Sequence, residues 1–225
     1  MAWFPDLYRS AIGKKAVMAV SGIILFGYVL LHMIGNLKLY EGPKALQDYA
    51  DFLRSAGTPA LPASGLLWIV RIVLLAAVVL HVVASWQVTT ASRRARPAAY
   101  AGASRIHTGY ASRTMRWGGV IILLFVVYHL LHLTWGAAHP SFRQHDVYHN
   151  VVAGFQVWWV ALFYVLAQFA LGFHLDHGLW SLFQSLGWSH PRFNGWRRGF
   201  AHAFALLITA ANVSFPIAVL TGLVR

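Results

Sequence analysis

The sequence predicts an all-α integral membrane protein with five transmembrane helices, because its composition is strongly apolar and its apolar residues fall in long stretches. Hydrophobic residues make up 58% of the 225 residues and charged residues only 11%, whereas an ordinary soluble domain is about a quarter charged. The mean hydropathy is +0.57. A water-soluble fold has too little interior to cover so much apolar surface, so we expect one transmembrane domain over residues 1–225.

Each predicted helix is an apolar stretch that can supply the roughly 20 helical residues needed to cross a bilayer core. In chain order they are Ala16–Leu39, Leu66–Thr90, Trp117–Ala137, Val151–His177 and Phe200–Val224. The first is too long for the hydrophobic part of a signal peptide and lacks a small-residue cleavage motif, so we interpret it as a retained helix. Polar connections that contain Gly and Pro, such as EGPKALQDYADFLRSAGTPALPASG, separate the stretches.

The distribution of Lys and Arg predicts a cytoplasmic N-terminus and an outside C-terminus. With this orientation twelve basic residues fall inside and five outside, and Arg71 lies within the second helix. The inside set is Arg9, Lys14, Lys15, Arg93, Arg94, Arg96, Arg105, Arg113, Arg116, Arg192, Arg197 and Arg198. The net charge of +12 therefore reflects membrane topology rather than nucleic-acid binding. The basic face suits partner subunits or anionic lipid headgroups.

Cysteine is absent from the chain. This excludes disulfides, cysteine-ligated zinc, iron–sulfur clusters and covalent c-type haem attachment. Any metal or cofactor must be held by other side chains, and histidine is the residue that stands out.

Four consecutive predicted helices each place at least one histidine at membrane depth. They are His32 in the first, His81 in the second, His129 and His132 in the third, and His174 and His177 in the fourth. Ionisable residues at this depth are costly and usually functional. Neutral imidazole binds iron well, and a bis-histidine haem b needs two imidazoles from facing helices.

Depth below the outer aromatic belt sorts these histidines into two levels. At about 1.5 Å of rise per residue, His32 lies roughly 12 Å and His129 roughly 9 Å below the belt. His81 lies roughly 20 Å and His174 roughly 24 Å below it. The levels, about 10 Å apart, predict two stacked haems, with His32 paired to His129 nearer the outside and His81 paired to His174 nearer the cytoplasm.

His132 and His177 each lie one helical turn nearer the interface than their companions, so we favour His129 and His174 as the ligands. His177 is then placed at headgroup level beside Asp176, where it can contact a haem propionate. Arg71 either pairs with a propionate at the outer level or extends outward to water. The alternative for any single histidine is an interhelical hydrogen bond. A zinc site is not favoured, because the helices have almost no carboxylates and no HExxH motif.

Two segments, SAIGKKAVMAVSGIILFGYVLLHMIGNLKLY and FHLDHGLWSLFQSLGW, resemble the five-helix, di-haem cytochrome b subunit of bacterial succinate dehydrogenase and fumarate reductase. The likeness extends over essentially the whole chain. It implies axial ligands at His32, His81, His129 and His174, in agreement with the depths. A glutamate that serves a proton route in some family fumarate reductases corresponds here to Gly172, which puts such a route in doubt.

The resemblance also implies partners and a location. A flavoprotein subunit would oxidise succinate, an iron–sulfur subunit would relay electrons, and this chain would pass them through two haems b to a quinone, typically menaquinone. No succinate-oxidising site is expected on this chain, which would lie in the bacterial inner membrane with its partners on the cytoplasmic side. The alternatives are a di-haem b anchor of a hydrogenase or formate dehydrogenase, or a haem-free transporter whose histidines carry protons or metal.

Overall fold

The structure is a computed structural model that describes the backbone of residues 8–95 and 110–225 and, in the second range, side chains from residue 115. Its described helices are α1 (Ala11–Asn36), α2 (Pro43–Ser55), α3 (Gly65–Arg94), α4 (Tyr110–His129), α5 (Val147–Gln156), α6 (Trp158–Ser185) and α7 (Asn194–Leu220). Short 3₁₀ segments cover Leu37–Glu41 and Pro191–Phe193, and a π-helical turn covers Leu130–Thr134. These ranges contain no strand.

Five of the described segments are long and apolar enough to cross a membrane, which confirms the predicted all-α class and the number of spans. They are Ala11–Glu41, Gly65–Arg94, Met115–Thr134, Trp158–Ser185 and Pro191–Leu220. Large apolar side chains point away from the bundle, with Leu75 66% and Leu206 72% exposed. A bilayer, and not water, is the solvent in which such faces are stable.

The predicted fourth helix differs most from the observed one. Its predicted start, Val151, lies in the separate helix α5, and the backbone breaks at Val157, which has extended dihedral angles. The Asp146 side chain caps α5 by accepting a 3.0 Å hydrogen bond from the His149 backbone N–H, as expected of an N-terminal aspartate. The membrane span α6 then starts at Trp158 and ends at Ser185, eight residues beyond the predicted end at His177.

Helix α2 lies in the polar connection between the first two predicted spans, where the apolar pattern predicts no helix. It begins at Pro43, directly after Gly42 with a φ of 102°, a left-handed value that glycine adopts at little cost. Tyr49 of α2 packs on Gly35 of α1, where an added Cβ would lie 2.5 Å from the tyrosine ring. The glycine thus allows α2 to cover the outer end of α1.

The spanning helices form two layers. Helix α1 packs along α3, while α6 packs along both α4 and α7. In the second layer Gly172 of α6 meets Thr209 of α7 so closely that a Cβ would lie 2.2 Å from the threonine Oγ1. Neither α1 with α4 nor α3 with α6 is among the closely packed helix pairs. The layers therefore stay apart along two facing pairs of helices, and these are the helices that carry the predicted ligands.

Arg197 anchors the connection between α6 and α7. Its guanidinium donates to the Trp188 carbonyl at 2.7 Å and to the Asn194 side-chain oxygen, and it lies 5.0 Å from the centre of the Trp180 ring. The residue is only 3% exposed. Arg197 therefore belongs to the interior of the fold, although the sequence analysis counted it with the basic docking surface.

Candidate functional site

The structure brings His81 of α3 and His174 of α6 together, and we call these two residues the inner pair. Their ring centroids are 6.2 Å apart and their planes are inclined by 64°. Small residues flank both rings: a Cβ on Gly22 of α1 would lie 3.4 Å from the His81 ring, and a Cβ on Gly119 of α4 would lie 3.7 Å from the His174 ring. Larger side chains at either glycine would press on an imidazole.

His32 of α1 and His129 of α4 form a second pair, the outer pair. Their ring centroids are 5.9 Å apart with an interplanar angle of 86°. Tyr28, one turn before His32, stacks on its ring at 5.4 Å. The rings of both pairs thus bridge the two helix layers where the helix backbones themselves do not pack. His81, His129 and His174 are partly buried, and His32 is exposed.

Helix geometry separates the two pairs along the bundle. Gly22, beside the inner pair, and His32 of the outer pair are ten residues apart on α1, and Gly119 and His129 are ten residues apart on α4. Ten helical residues correspond to roughly 15 Å. On both helices, the separation between the inner and outer pairs is therefore larger than the roughly 10 Å obtained from the aromatic belt. The two values differ because the belt residues of different helices do not share one depth.

The distances within the pairs fit haem ligation. Two imidazoles that bind one metal ion from opposite sides, each through a nitrogen at about 2 Å, place their ring centroids roughly 6 Å apart. Both pairs have this separation. In the described ranges no group of three or more His, Asp or Glu side chains could hold a metal ion. The candidate metal ligands there are therefore the paired imidazoles.

Hydrogen bonds at the second ring nitrogen also fit a ligand role for the inner pair. The Nδ1 atom of His81 lies 3.0 Å from the Met18 carbonyl oxygen, so the ring donates from Nδ1 and keeps the Nε2 lone pair free. The Nδ1 atom of His174 is buried near the Met115 carbonyl, without a bond that meets ordinary hydrogen-bond geometry. A backbone carbonyl at Nδ1 is the usual partner of a metal-ligating histidine.

His132 has no facing histidine on α1 and lies in a different environment. Its ring is fully buried and stacks on Tyr128 at 5.5 Å and on His139 at 4.9 Å. A Cβ on Gly154 would lie 2.6 Å from this ring, so the glycine is what allows the packing. His132 therefore contacts aromatic rings of α4 and of the following connection instead of a histidine of α1, and the preference for His129 as ligand stays a prediction.

His177 is half-buried near the basic end of the bundle. Its expected neighbour Asp176 is engaged elsewhere, because the carboxylate hydrogen-bonds to His202 of α7. Asp176 thus faces α7, although it remains close enough to His177 for an electrostatic interaction.

Arg71 lies on α3 toward its outer end, with the guanidinium 4.9 Å from the centre of the Trp68 ring. Trp68 is itself 58% exposed, so this contact is on the outer surface of the bundle. Arg71 also lies close enough to Tyr28 for an electrostatic interaction, and Tyr28 stacks on His32. The residue is therefore at the outer level, where both alternatives, a propionate contact and an outward extension to water, stay predictions.

Gly172 lies two residues before His174, inside the contact between α6 and α7. Thr209 occupies the space into which any side chain at this position would extend, because its Oγ1 would be 2.2 Å from an added Cβ. A larger side chain at this position would therefore require the Thr209 hydroxyl to shift.

The basic end of the bundle contains a cleft of about 600 Å³ between the start of α1 and the end of α3. Lys14, Trp86 and Arg94 contribute to its lining. Arg96 and Arg105 belong to the same predicted surface but lie outside the described residues, as does the side chain of Arg113.

One comparison with known proteins identifies the family. The sequence model described as the succinate dehydrogenase/fumarate reductase transmembrane subunit matches residues 89–213, which is more than half of the chain. The chain belongs to this family. It is therefore a multi-pass membrane subunit of a succinate dehydrogenase or fumarate reductase type of complex. No curated protein and no solved structure matched it.

The matched region contains His129 and His174. It begins at residue 89, after the other two candidates, His32 and His81. The structure therefore shows a pairing of histidines that the family match does not contain. It brings His129 together with His32, and His174 together with His81, at two separate levels of the subunit.

Sequence reasoning missed Tyr164 of α6, whose hydroxyl lies 3.3 Å from Nδ1 of His129 and 2.9 Å from Nδ1 of His132. A signal was present. Tyr164 precedes His174 by ten residues on the same helix, which places it roughly 15 Å nearer the outside and so at the level of the outer pair.

Proposed function

We propose that this subunit is a di-haem cytochrome b that carries electrons from an iron–sulfur subunit to a quinone. The observation that supports the proposal most strongly is the geometry of the outer and inner pairs. Each joins two otherwise separate helices through imidazole rings whose centroids are 5.9 or 6.2 Å apart, and they do so in a chain of the succinate dehydrogenase/fumarate reductase transmembrane family.

The residues of the chain have defined tasks in this proposal. The four imidazoles hold haem iron in two His–His sets, and each bound haem supplies a one-electron redox centre. The Met18 carbonyl keeps the proton of His81 on Nδ1, so that Nε2 is free to ligate. Arg71 and His177 are the side chains that we assign to propionates, at the outer and inner levels respectively.

The partner subunits occupy the basic end of the bundle. Lys14 and Arg94 lie there, together with other residues of the predicted inside set, and the positive-inside rule makes this end cytoplasmic. A flavoprotein converts succinate to fumarate with release of two electrons and two protons. A docked iron–sulfur subunit passes the electrons to the inner and then to the outer level, and a quinone, menaquinone in our proposal, takes up two electrons and two protons.

The same basic end lies at the membrane surface, where its Lys and Arg side chains also contact anionic lipid headgroups. We place the complex in the bacterial inner membrane, with the flavoprotein and iron–sulfur subunits in the cytoplasm. The family match favours these partners over the nickel or molybdenum subunits of a hydrogenase or formate dehydrogenase.

Succinate is expected to reduce b-type haem in the intact complex. We would purify the complex through a tag on this chain, add succinate without oxygen, and record the haem absorption bands and quinol formation. Both bands and quinol should appear, and malonate, a competitive analogue of succinate, should suppress them. The chain expressed without its partners is the control, and its haem should stay oxidised when succinate is added.

Two results would contradict the proposal. One is a complex that oxidises succinate with an artificial acceptor while its haem bands and quinone remain oxidised. The other is a preparation with partner subunits but no haem absorption, as expected of a haem-free anchor.

A further inference from the structure

The hydroxyl of Tyr164 lies between two imidazoles in the most closely packed part of the outer level. It is 2.9 Å from Nδ1 of His132 and 3.3 Å from Nδ1 of His129. Tyr164 is only 5% exposed. Phe125 and Phe155 pack edge-to-face against its ring, with centroids 5.0 and 4.9 Å away, so the phenol has little freedom to turn elsewhere.

The local backbone is built so that both imidazoles reach one hydroxyl. The α-helical pattern of α4 ends at His129, and a π-helical turn follows over Leu130–Thr134. The Trp135 N–H donates to the Leu130 carbonyl at 2.9 Å, the five-residue spacing of a π-turn. This wider turn changes the angle between His129 and His132 around the helix axis, and both point toward Tyr164 on α6.

Counting protons gives the hydrogen bonds a direction. If His129 ligates through Nε2, its ring proton must be on Nδ1, which then donates to the Tyr164 oxygen. The phenol has one proton of its own, and the remaining neighbour is Nδ1 of His132, at the shorter distance. The order is therefore His129 N–H to Tyr164 oxygen, and Tyr164 O–H to His132 nitrogen.

We propose that Tyr164 is a positioning residue for the outer haem and lowers its midpoint potential, an inference that rests on the proposed function. Its oxygen holds the rotation and the tautomer of His129. An imidazole that donates a hydrogen bond from Nδ1 is a stronger electron donor at Nε2 and favours oxidised iron. His132 acts through Tyr164, because a phenol that donates its proton is a better acceptor. This gives the buried His132 a task other than ligation.

The test is the Tyr164→Phe substitution, which removes the hydroxyl and keeps the ring. The ratio of reduced to oxidised outer haem at a fixed potential should rise about three- to tenfold, since the net effect of one hydrogen bond is of this size. With 59 mV per tenfold change for a one-electron couple, this is an upward shift of about 30 to 60 mV. A potentiometric titration measures it, and the outer haem is identified as the one missing from His32→Ala.

Tyr128→Phe is the matched control. Tyr128 stands beside Tyr164, with ring centroids 6.1 Å apart, and also stacks on His132. Its hydroxyl is buried and has no hydrogen-bond partner among the described residues. The Tyr128→Phe protein should keep the wild-type potential at both levels, and the inner haem should not shift in either variant.

The proposal is overturned if Tyr164→Phe retains both haems with an unchanged outer potential, or if Tyr128→Phe shifts that potential equally. If Tyr164→Phe does not assemble, His132→Leu takes its place, because it removes the acceptor of the phenol proton and leaves Tyr164 against His129. A smaller upward shift of the outer haem supports the proposal, and no shift overturns it. Failure of the proposed function has a different signature, since wild-type protein would then hold no haem to titrate.

Discussion

Replacing His174 with alanine is expected to remove one haem b and to leave the other in place. The inner pair and the outer pair are on different residues, and helix geometry separates them by roughly 15 Å. Loss of one imidazole breaks one His–His set and leaves the other pair of rings, 5.9 Å apart, untouched. His81→Ala should give the same result, while His32→Ala and His129→Ala should remove the other haem.

Haem content per polypeptide, measured as the pyridine haemochrome, quantifies this result. Each single variant should retain half of the wild-type haem, and the double variant His32→Ala with His81→Ala should retain none. His177→Ala is the comparison variant, because it removes the propionate contact one turn from His174 but leaves both His–His sets intact. It should therefore lose less haem than His174→Ala. Normal haem in His174→Ala, or loss of a haem only in His177→Ala, would refute the assignment of the inner pair.

Arg197→Met is expected to destabilise the basic end of the subunit by about 2–3 kcal/mol, the value of hydrogen bonds made by a charged donor. Methionine fills a similar volume against Trp180 but cannot bond to the Trp188 carbonyl or to Asn194. The connection between α6 and α7 then loses its anchor. The melting temperature of the detergent-solubilised protein should fall by roughly 4–12 °C, and less partner subunit should co-purify.

Arg198→Met provides the control for this second substitution. Arg198 is the next residue, is exposed, and also lies over the Trp180 ring at 5.1 Å. It should therefore leave the melting temperature within about 1–2 °C of wild type, because an exposed substitution changes stability by less than about 0.5 kcal/mol. Equal effects of both arginine substitutions would show that net charge, and not the buried hydrogen bonds, matters here.

Hydropathy was sufficient to predict the five spans because a bilayer requires long apolar helices whatever their tertiary contacts. It could not reveal the break at Val157, since apolar residues continue on both sides of it. Helix α2 was missed for a related reason. Its polar outer face is typical of a connection, and tertiary contacts, such as that of Tyr49 with Gly35 and the burial of Leu46, mark it as a packed element.

Helical rise was enough to predict which histidines of different helices lie close together, since each residue adds nearly the same rise along a helix. Their role as ligands stays a prediction. Chemistry at the second ring nitrogen could not be predicted in this way. His132 shares the Tyr164 hydroxyl with His129 because a π-turn follows His129, and nothing in the sequence LLHLT indicates that turn. The buried Arg197 shows the same limit, because its charge predicts exposure and only the tertiary structure supplies the carbonyl and aromatic rings around it.

The most direct test of the central claim is the ratio of haem b to polypeptide in the purified wild-type subunit. If the outer and inner pairs each hold one haem between their imidazoles, the ratio is two, and both haems are low-spin with two nitrogen ligands. A ratio near zero, in protein that is folded and inserted in the membrane, would contradict the account and leave the paired histidines as interhelical contacts.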